Sequence, residues 1–372
     1  MLAIILLASL SKKVKTMSKK LKVVVFGVGF GQVYLNAIEK NKENFELVGI
    51  FSRGSNWSKE CAKRYNVPLY TDINKIDKSI CDVACVVIKS TIAGGKGSII
   101  VEELLNKGIN VIQEHPIHEK EFIKFIKLSK ENGCEYFLNT FYPELNTIDT
   151  FIRICRELQN RTTIRHISAD CSIHVLFPLI DILGRAVGGF TPFEFQKVTS
   201  NFDLFFDTII GYINNISITI NIQNRIEPDN SENYMTLLHR IGITTNSGNL
   251  ILVDTNGPIV WSPCMNKELY DDNHYNINDK NLFSDLPIYE LIGENKYGTC
   301  KDILNEYWPD GVVNALELFR NSILNSTDLS KRNQYILKTI RIWQEIGNIL
   351  GTQKMLSPYE KIPIKMDEII QI

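Results

Sequence analysis

"VVVFGVGFGQVYLNAI", residues 23–38, decides the fold. Three valines and a phenylalanine run without a polar break into Gly27, and a helical pattern opens after Gly29. A strand, a glycine turn and a helix in that order put backbone N–H groups at a helix N-terminus, where a pyrophosphate can sit against them. The third glycine of a GxGxxG fingerprint would fall at position 32, where Gln32 stands, so the close approach of helix to strand is expected to rest on Gly31. The competing reading of the same residues is a tight turn in an α/β sheet that binds no dinucleotide. Gly27, Gly29, Phe30 and Gly31 are the candidate cofactor residues of this stretch.

Working outward, "LKVVVFG" (21–27), "FELVGIF" (45–51), "DVACVVI" (82–88) and "NVIQEHP" (110–116) are continuous apolar runs of the kind buried on both faces of a parallel sheet. Between them, "SIIVEELLNKG" and "HEKEFIKFIKLSKENG" carry apolar residues at helical spacing and end in Gly108 and Gly133, placed to cap them. The alternation predicts a Rossmann doubly wound parallel sheet over residues 20–144. The texture then changes. A helix over 147–158, a strand over 162–172, a helix over 174–186, a half-buried strand over 216–224 and two strands joined at 246–249 predict an α+β domain, residues 145–372, on a mostly antiparallel open sheet. Two long helices, about 310–324 and 330–350, close the chain and can pack back on the first domain.

With 372 residues, 44% apolar content, 22% charged content and a net charge of −1, the chain reads as a globular protein of about two domains. It has no basic stripe with which to attract a phosphate backbone, so nucleic acid is excluded as a partner. Eight cysteines stand at scattered positions with no CxxC pair or zinc-like spacing, and no metal site is expected. They read as reduced core residues of a cytoplasmic protein. The apolar run near the N-terminus is too short to span a bilayer and lacks a basic flank. Residues 1–19 are therefore expected to be an extension, with Met1 and Met17 both open as starts and a signal peptide as the competing reading.

The dinucleotide is chosen at the end of the second strand, where a carboxylate would grip a ribose 2′-hydroxyl. "FSRGSNWS", 51–58, has none. Ser52, Arg53 and Ser55 offer donors and a positive charge suited to a 2′-phosphate, which predicts NADPH. Ser90 and Thr91, after the fourth strand, are expected beside the nicotinamide ribose, with helix capping as the alternative for Thr91.

"EHP", Glu114 to Pro116, ends a strand at the carboxyl edge, where ligands of open α/β sheets bind. An E-K-P triplet at this place marks the two-domain oxidoreductases that include glucose–fructose oxidoreductase and inositol dehydrogenase, in which the lysine faces nicotinamide and substrate. The chain resembles that family over nearly its full length, with His115 where the lysine would be. Sugar dehydrogenases of the family also carry an H-x-x-D element early in the second domain; here "LFPLIDILG" keeps Asp181 but shows Pro178 at the histidine position. With "GVGFGQVYLNAI", "EHPIH", "NTFYPE" and "FPLIDILGRAVGG", the chain is most similar to the thiazolinyl imide reductase branch, which acts in siderophore biosynthesis.

That resemblance implies NADPH-dependent reduction of a cyclic C=N bond to a thiazolidine, on an intermediate tethered to a carrier domain of a nonribosomal peptide synthetase, by a homodimer. Hydride addition to an imine carbon leaves electron density on nitrogen and calls for a proton donor. His115 and Tyr142 are the two candidates, the resemblance gives both positions that role, and sequence does not rank them. Glu114 is expected on the cofactor side, orienting His115 or the turn. His118 is assigned to the start of the next helix and His174 to the domain interface, neither with a role in the reaction. Packed residues without chemistry, a sugar or polyol dehydrogenase, and a non-catalytic dinucleotide-binding scaffold are the alternatives.

Overall fold

The computed structural model describes residues 19–88, 96–227, 235–264, 270–271, 274–275, 286–293, 298–355 and 364–370. The expected N-terminal extension thus lies outside the described residues except for Lys19, whose Nζ is 2.9 Å from Asp82. The chain divides into two compact units, one running up to Phe141 and taking in Thr299–Leu329, the other comprising Tyr142–Gly298 and Ser330–Ile372.

The first unit alternates strands and helices: β1 (Leu21–Phe26), α1 (Gly31–Lys40), β2 (Phe45–Phe51), α2 (Asn56–Tyr65), β3 (Leu69–Tyr70), β4 (Val83–Val86), α3 (Lys96–Asn106), β5 (Asn110–Glu114), α4 (Glu119–Glu131) and β6 (Tyr136–Asn139). The strands form one parallel sheet in the order β3-β2-β1-β4-β5-β6. Strand order therefore reverses beside β1, and the carboxyl ends of β1, β2 and β5 face the side where such sheets hold ligands. Val23, Val24, Val25 and Phe26 are fully buried. Each contributes about 1.5–3 kcal/mol relative to exposure, so a charge placed at any of them would break the unit.

Of the two C-terminal helices, α8 (Trp308–Asn325), preceded by the short α7 (Cys300–Asp302), belongs to the first unit and α9 (Ser330–Leu350) to the second. Val312, Ala315, Leu316 and Phe319 make one buried face of α8 at helical spacing. Phe319 meets the Phe137 ring at 5.4 Å, and Glu317 accepts from Asn41 and Asn44 at 2.6 and 2.8 Å. An amphipathic period shows that a helix packs, not on which sheet.

The second unit has α5 (Asn146–Arg161), β7 (Ile164–Ser172), α6 (Leu176–Ala186), β8 (Phe193–Lys197), β9 (Asp207–Ile213), β10 (Ile216–Gln223), β11 (Arg225–Ile226), β12 (His239–Thr245), β13 (Gly248–Leu252) and β14 (Ile259–Pro263). Its eight-stranded sheet runs from the strand Glu290–Ile292 through β14, β13, β12, β7, β10 and β9 to β8. All neighbours are antiparallel except β7 and β10. Period-two burial at Ile218, Ile220 and Ile222 turns one face of β10 inward. Ile180 and Leu183 of α6, Ile342 and Ile346 of α9 and Ile213 of β9 meet that face as one apolar layer. The sequence pattern leaves 193–213 without strands. There β8 is the edge strand and β9 its neighbour; Phe193 and Phe195 alternate with Glu194 and Gln196 over too short a stretch to stand out, and the outward Ile210 and Tyr212 blur the alternation of β9.

Six cysteines are buried and Cys264 and Cys300 are exposed, so two of the eight are not the core residues expected. Among the described residues no helix is long and apolar enough to cross a membrane.

Candidate active site

The loop after β1 is built for close approach. Gly27 has φ +97°, and a Cβ there would stand 2.7 Å from the Val87 carbonyl oxygen, so only glycine fits. Gly29 is exposed with no atom within 4 Å of its missing Cβ, which leaves its backbone open to a ligand. A Cβ on Gly31 would meet Val25 Cγ1 at 3.3 Å and Val87 Cβ at 3.8 Å. Gly31 thus makes the close helix–sheet packing that a glycine at 32 would have provided, and Gln32 turns its amide to donate to Val28 O at 3.3 Å. A glycine cradle at the N-terminus of α1 fits a pyrophosphate.

At the end of β2, Ser52 Oγ accepts from Gly54 N at 3.1 Å, and Ser55 caps α2, its Oγ accepting from Ser58 N at 3.2 Å. Both hydroxyls therefore shape the turn as well as facing this edge. Arg53 is exposed and pairs with no carboxylate among the described residues, which fits a cationic seat for a phosphate. Trp57, which sequence reasoning passed over, is 46% exposed and donates its indole N–H to Val28 O at 3.3 Å, tying α2 to the glycine loop. Ser90 and Thr91 lie outside the described residues.

The end of β5 carries a polar cluster inside an apolar sheet. His115 Nδ1 is 2.8 Å from Glu114 Oε1, with both side chains about nine-tenths buried. Glu114 Oε2 accepts from Tyr34 of α1 at 2.5 Å and from Asn139 Nδ2 at 3.2 Å, and Asn139 Nδ2 also donates to Tyr34 Oη at 2.7 Å. Burial and the Glu114 carboxylate push the Tyr34 phenol well above its ordinary value, so it keeps its proton and serves as a donor. The His115 backbone N–H donates to Asn139 O at 3.0 Å, which ties β5 to β6 at this point. Sequence reasoning paired Glu114 with His115 and missed Tyr34 and Asn139. Next to the cluster, Phe141 adopts φ +62°, uncommon for a residue with a Cβ, and its ring packs on Phe30 at 5.1 Å and Trp308 at 5.6 Å.

The second unit opens with Tyr142, in a short 3₁₀ turn through Glu144. Its buried ring meets His239 edge-on at 4.9 Å. His239 Nε2 lies 3.0 Å from Val175 O, which can only accept, so Nε2 holds the proton and Nδ1 accepts from Thr255 Oγ1 at 2.9 Å. His174 contacts Ser172 Oγ at 2.9 Å, and His118 stands at the N-cap of α4 without a side-chain capping bond. Asp181 is fully buried. Arg185 grips it with two bonds, at 2.8 and 3.1 Å, and reaches Glu144 at 2.8 Å. Burial would push the guanidinium down, but the two carboxylates carry it further upward.

Two family models match the chain. One, described as an oxidoreductase family with an NAD-binding Rossmann fold, covers residues 21–140; the other, described as the C-terminal part of the Irp3-like thiazolinyl imine reductases, covers residues 162–262. The chain belongs to this oxidoreductase family.

Solved structures share the fold of the oxidoreductase over most of its length. A dehydrogenase from Clostridium difficile has a TM-score of 0.63 at 17% identity, with 88% of this chain and 99% of that chain covered. Levoglucosan dehydrogenase in complex with NADH and levoglucosan has 0.63 at 11%, covering 89% and 97%. An oxidoreductase from Agrobacterium radiobacter in complex with NAD+, L-tartaric acid and magnesium has 0.62 at 11%, covering 88% and 95%. One curated relative, a putative ankyrin repeat protein of Borreliella burgdorferi, is 30% identical over 118 residues, 30% of this chain; the chain spans about a quarter (27%) of that relative's length. Within the oxidoreductase, Arg185 closes both oxygens of Asp181. Among the described residues no three His, Cys, Asp or Glu side chains gather as a metal site.

Proposed function

We propose that this oxidoreductase uses NADPH to reduce a cyclic C=N bond, converting a thiazoline held on a carrier domain of a nonribosomal peptide synthetase into a thiazolidine during siderophore assembly. The observation that carries the reading is the thiazolinyl imine reductase match over 162–262. His115, in place of the lysine of the wider family, supports it, as does the closure of Asp181 by Arg185.

Gly27, Gly29, Phe30 and Gly31 would hold the pyrophosphate, and Arg53 with Ser52 and Ser55 the 2′-phosphate. Bound NADPH supplies the hydride. When the imine carbon gains a hydride, its nitrogen takes a proton, and the C=N bond becomes CH–NH. His115 and Tyr142 are the groups assigned to give that proton, directly or through a water. The carrier domain is a transient partner, and a homodimer is the expected resting form.

The test is to incubate the purified chain with NADPH and a carrier domain loaded with a hydroxyphenyl-bisthiazoline, then release and weigh the product. A gain of two hydrogens that needs NADPH supports the reading. No gain while NADPH binds tightly overturns it, and polyols with NADP would then test the sugar dehydrogenase, with a dinucleotide-binding scaffold as the remaining alternative.

A further inference from the structure

The polar cluster behind His115 has a direction, and it can be read atom by atom. The Phe141 backbone N–H can only donate, and Asn139 Oδ1 accepts it at 3.0 Å, which settles which end of the Asn139 amide is oxygen. Asn139 Nδ2 is then the atom that donates to Tyr34 Oη at 2.7 Å. With Oη accepting there, the single phenol proton goes to Glu114 Oε2 at 2.5 Å. Tyr34 is fully buried and its phenol is pushed upward, so it has no ionised form to offer. Asn139 O takes the hydrogen bond of His115 Nδ1 at 3.3 Å, and Glu114 Oε1 stands 2.8 Å from the same nitrogen as a charge contact without hydrogen-bond geometry. Both are acceptors, so the proton between them sits on Nδ1.

We infer that Tyr34, Asn139 and Glu114 form a positioning relay that holds His115 as its Nδ1–H tautomer, through the Asn139 carbonyl and the charge of the Glu114 carboxylate, and assigns proton exchange to Nε2. The inference rests on the reading that His115 serves the reduction. It also assigns His115 a definite chemistry: the neutral ring presents a lone pair at Nε2, and only the doubly protonated ring delivers a proton from that atom. In giving it to the substrate nitrogen, Nε2 loses its proton, Nδ1 keeps its own against Asn139 O and beside the Glu114 carboxylate, and the ring returns to the same neutral tautomer. Tyr34 acts through Glu114, and Asn139 acts both through Glu114 and through its own carbonyl on Nδ1.

The test is ¹⁵N NMR of the full chain labelled at histidine, with His115 assigned by its loss in His115→Ala, alongside steady-state kinetics of Tyr34→Phe and Glu114→Gln. In its neutral ring, wild-type His115 is expected to show a protonated Nδ1 and an unprotonated Nε2. Glu114→Gln is expected to lose that preference and about 10²–10⁴-fold in kcat, and Tyr34→Phe about 10-fold or more, each with the KM for NADPH unchanged. A wild-type ring protonated at Nε2, or a tautomer and kcat untouched in both variants, overturns the relay. Should Tyr34→Phe fail to fold, the wild-type spectrum and Glu114→Gln decide alone. Full turnover in His115→Ala, with the NMR signature still displaced by Glu114→Gln, would overturn the proton role of His115 and support the tautomer assignment.

Discussion

Two carboxylate networks are buried in this molecule, one in each unit, and they end differently. Glu114 is held by Tyr34 and Asn139 and ends on His115; Asp181 and Glu144 end on Arg185. A guanidinium keeps its charge at every pH a protein meets, so the Asp181 network is closed and its carboxylates are committed to structure. An imidazole can hold a proton on either or both ring nitrogens, so the Glu114 network ends on a group able to pass a proton onward. The two buried networks thus differ at one terminal residue, a fixed charge in one and an imidazole in the other.

The largest expected effect breaks the chemical side of that contrast. Replacing His115 with Ala and Tyr142 with Phe together should cut kcat by at least about 10²–10⁴-fold. NADPH affinity, followed by fluorescence titration, should stay as in the wild type. The matching change on the structural side is Arg185→Met, which takes the guanidinium away from the buried Asp181. It should cost about 3–5 kcal/mol in a denaturant titration, and Asp181→Asn added to it should recover part of the loss. If Arg185→Met unfolds no more easily than wild type, the assignment of that network to the scaffold fails.

How far all this could be read in the sequence depends on range. The parallel sheet is legible because burial on both faces leaves unbroken apolar runs at 23–26 and 83–86, and because Gly27 and Gly29 must follow the first. His115 is legible as an exception to a family pattern. Tyr34 is not: on α1 it occupies a buried, apolar-facing position and looks like any core aromatic, and its hydroxyl meets Glu114 80 residues away. Asn139 likewise reads as the polar end of a strand. Its one signal is an amide two positions before "FYP", where a turn would need its hydrogen bonds satisfied. Arg185 could have been paired with Asp181 from their spacing of four on a helix, but Glu144 joins only through the fold.

Smaller effects sharpen the contrast with two other arginines. Arg53, exposed and without a carboxylate partner among the described residues, should be a ligand group and not a scaffold group. Arg53→Ala is expected to lower the preference for NADPH over NADH about tenfold, some 1.4 kcal/mol, with little change in melting temperature. An unchanged preference would remove Arg53 from the cofactor site. Arg225 and Lys354 instead clasp the exposed Asp203 at 2.6 and 3.1 Å, and the Arg225 hydrogen bond, followed by that of Lys354, holds its carboxyl below the usual range. A depressed folded pKa stabilises above the unfolded carboxylate value and is lost as pH falls through the folded one. Asp203→Asn should therefore lower the melting temperature slightly near neutrality, and the difference from wild type should vanish in acid. Exposure keeps this effect the smallest of the four.

The central claim, that this oxidoreductase delivers a hydride to a C=N carbon, is tested most directly by isotope. The chain is incubated with NADPH deuterated at the transferring C4 position and a carrier-bound thiazoline, and the released product is analysed by mass and fragmentation. One deuterium on the former imine carbon, with an ordinary proton on nitrogen, is the expected result. An unlabelled or unreduced product in the presence of bound cofactor would contradict the account.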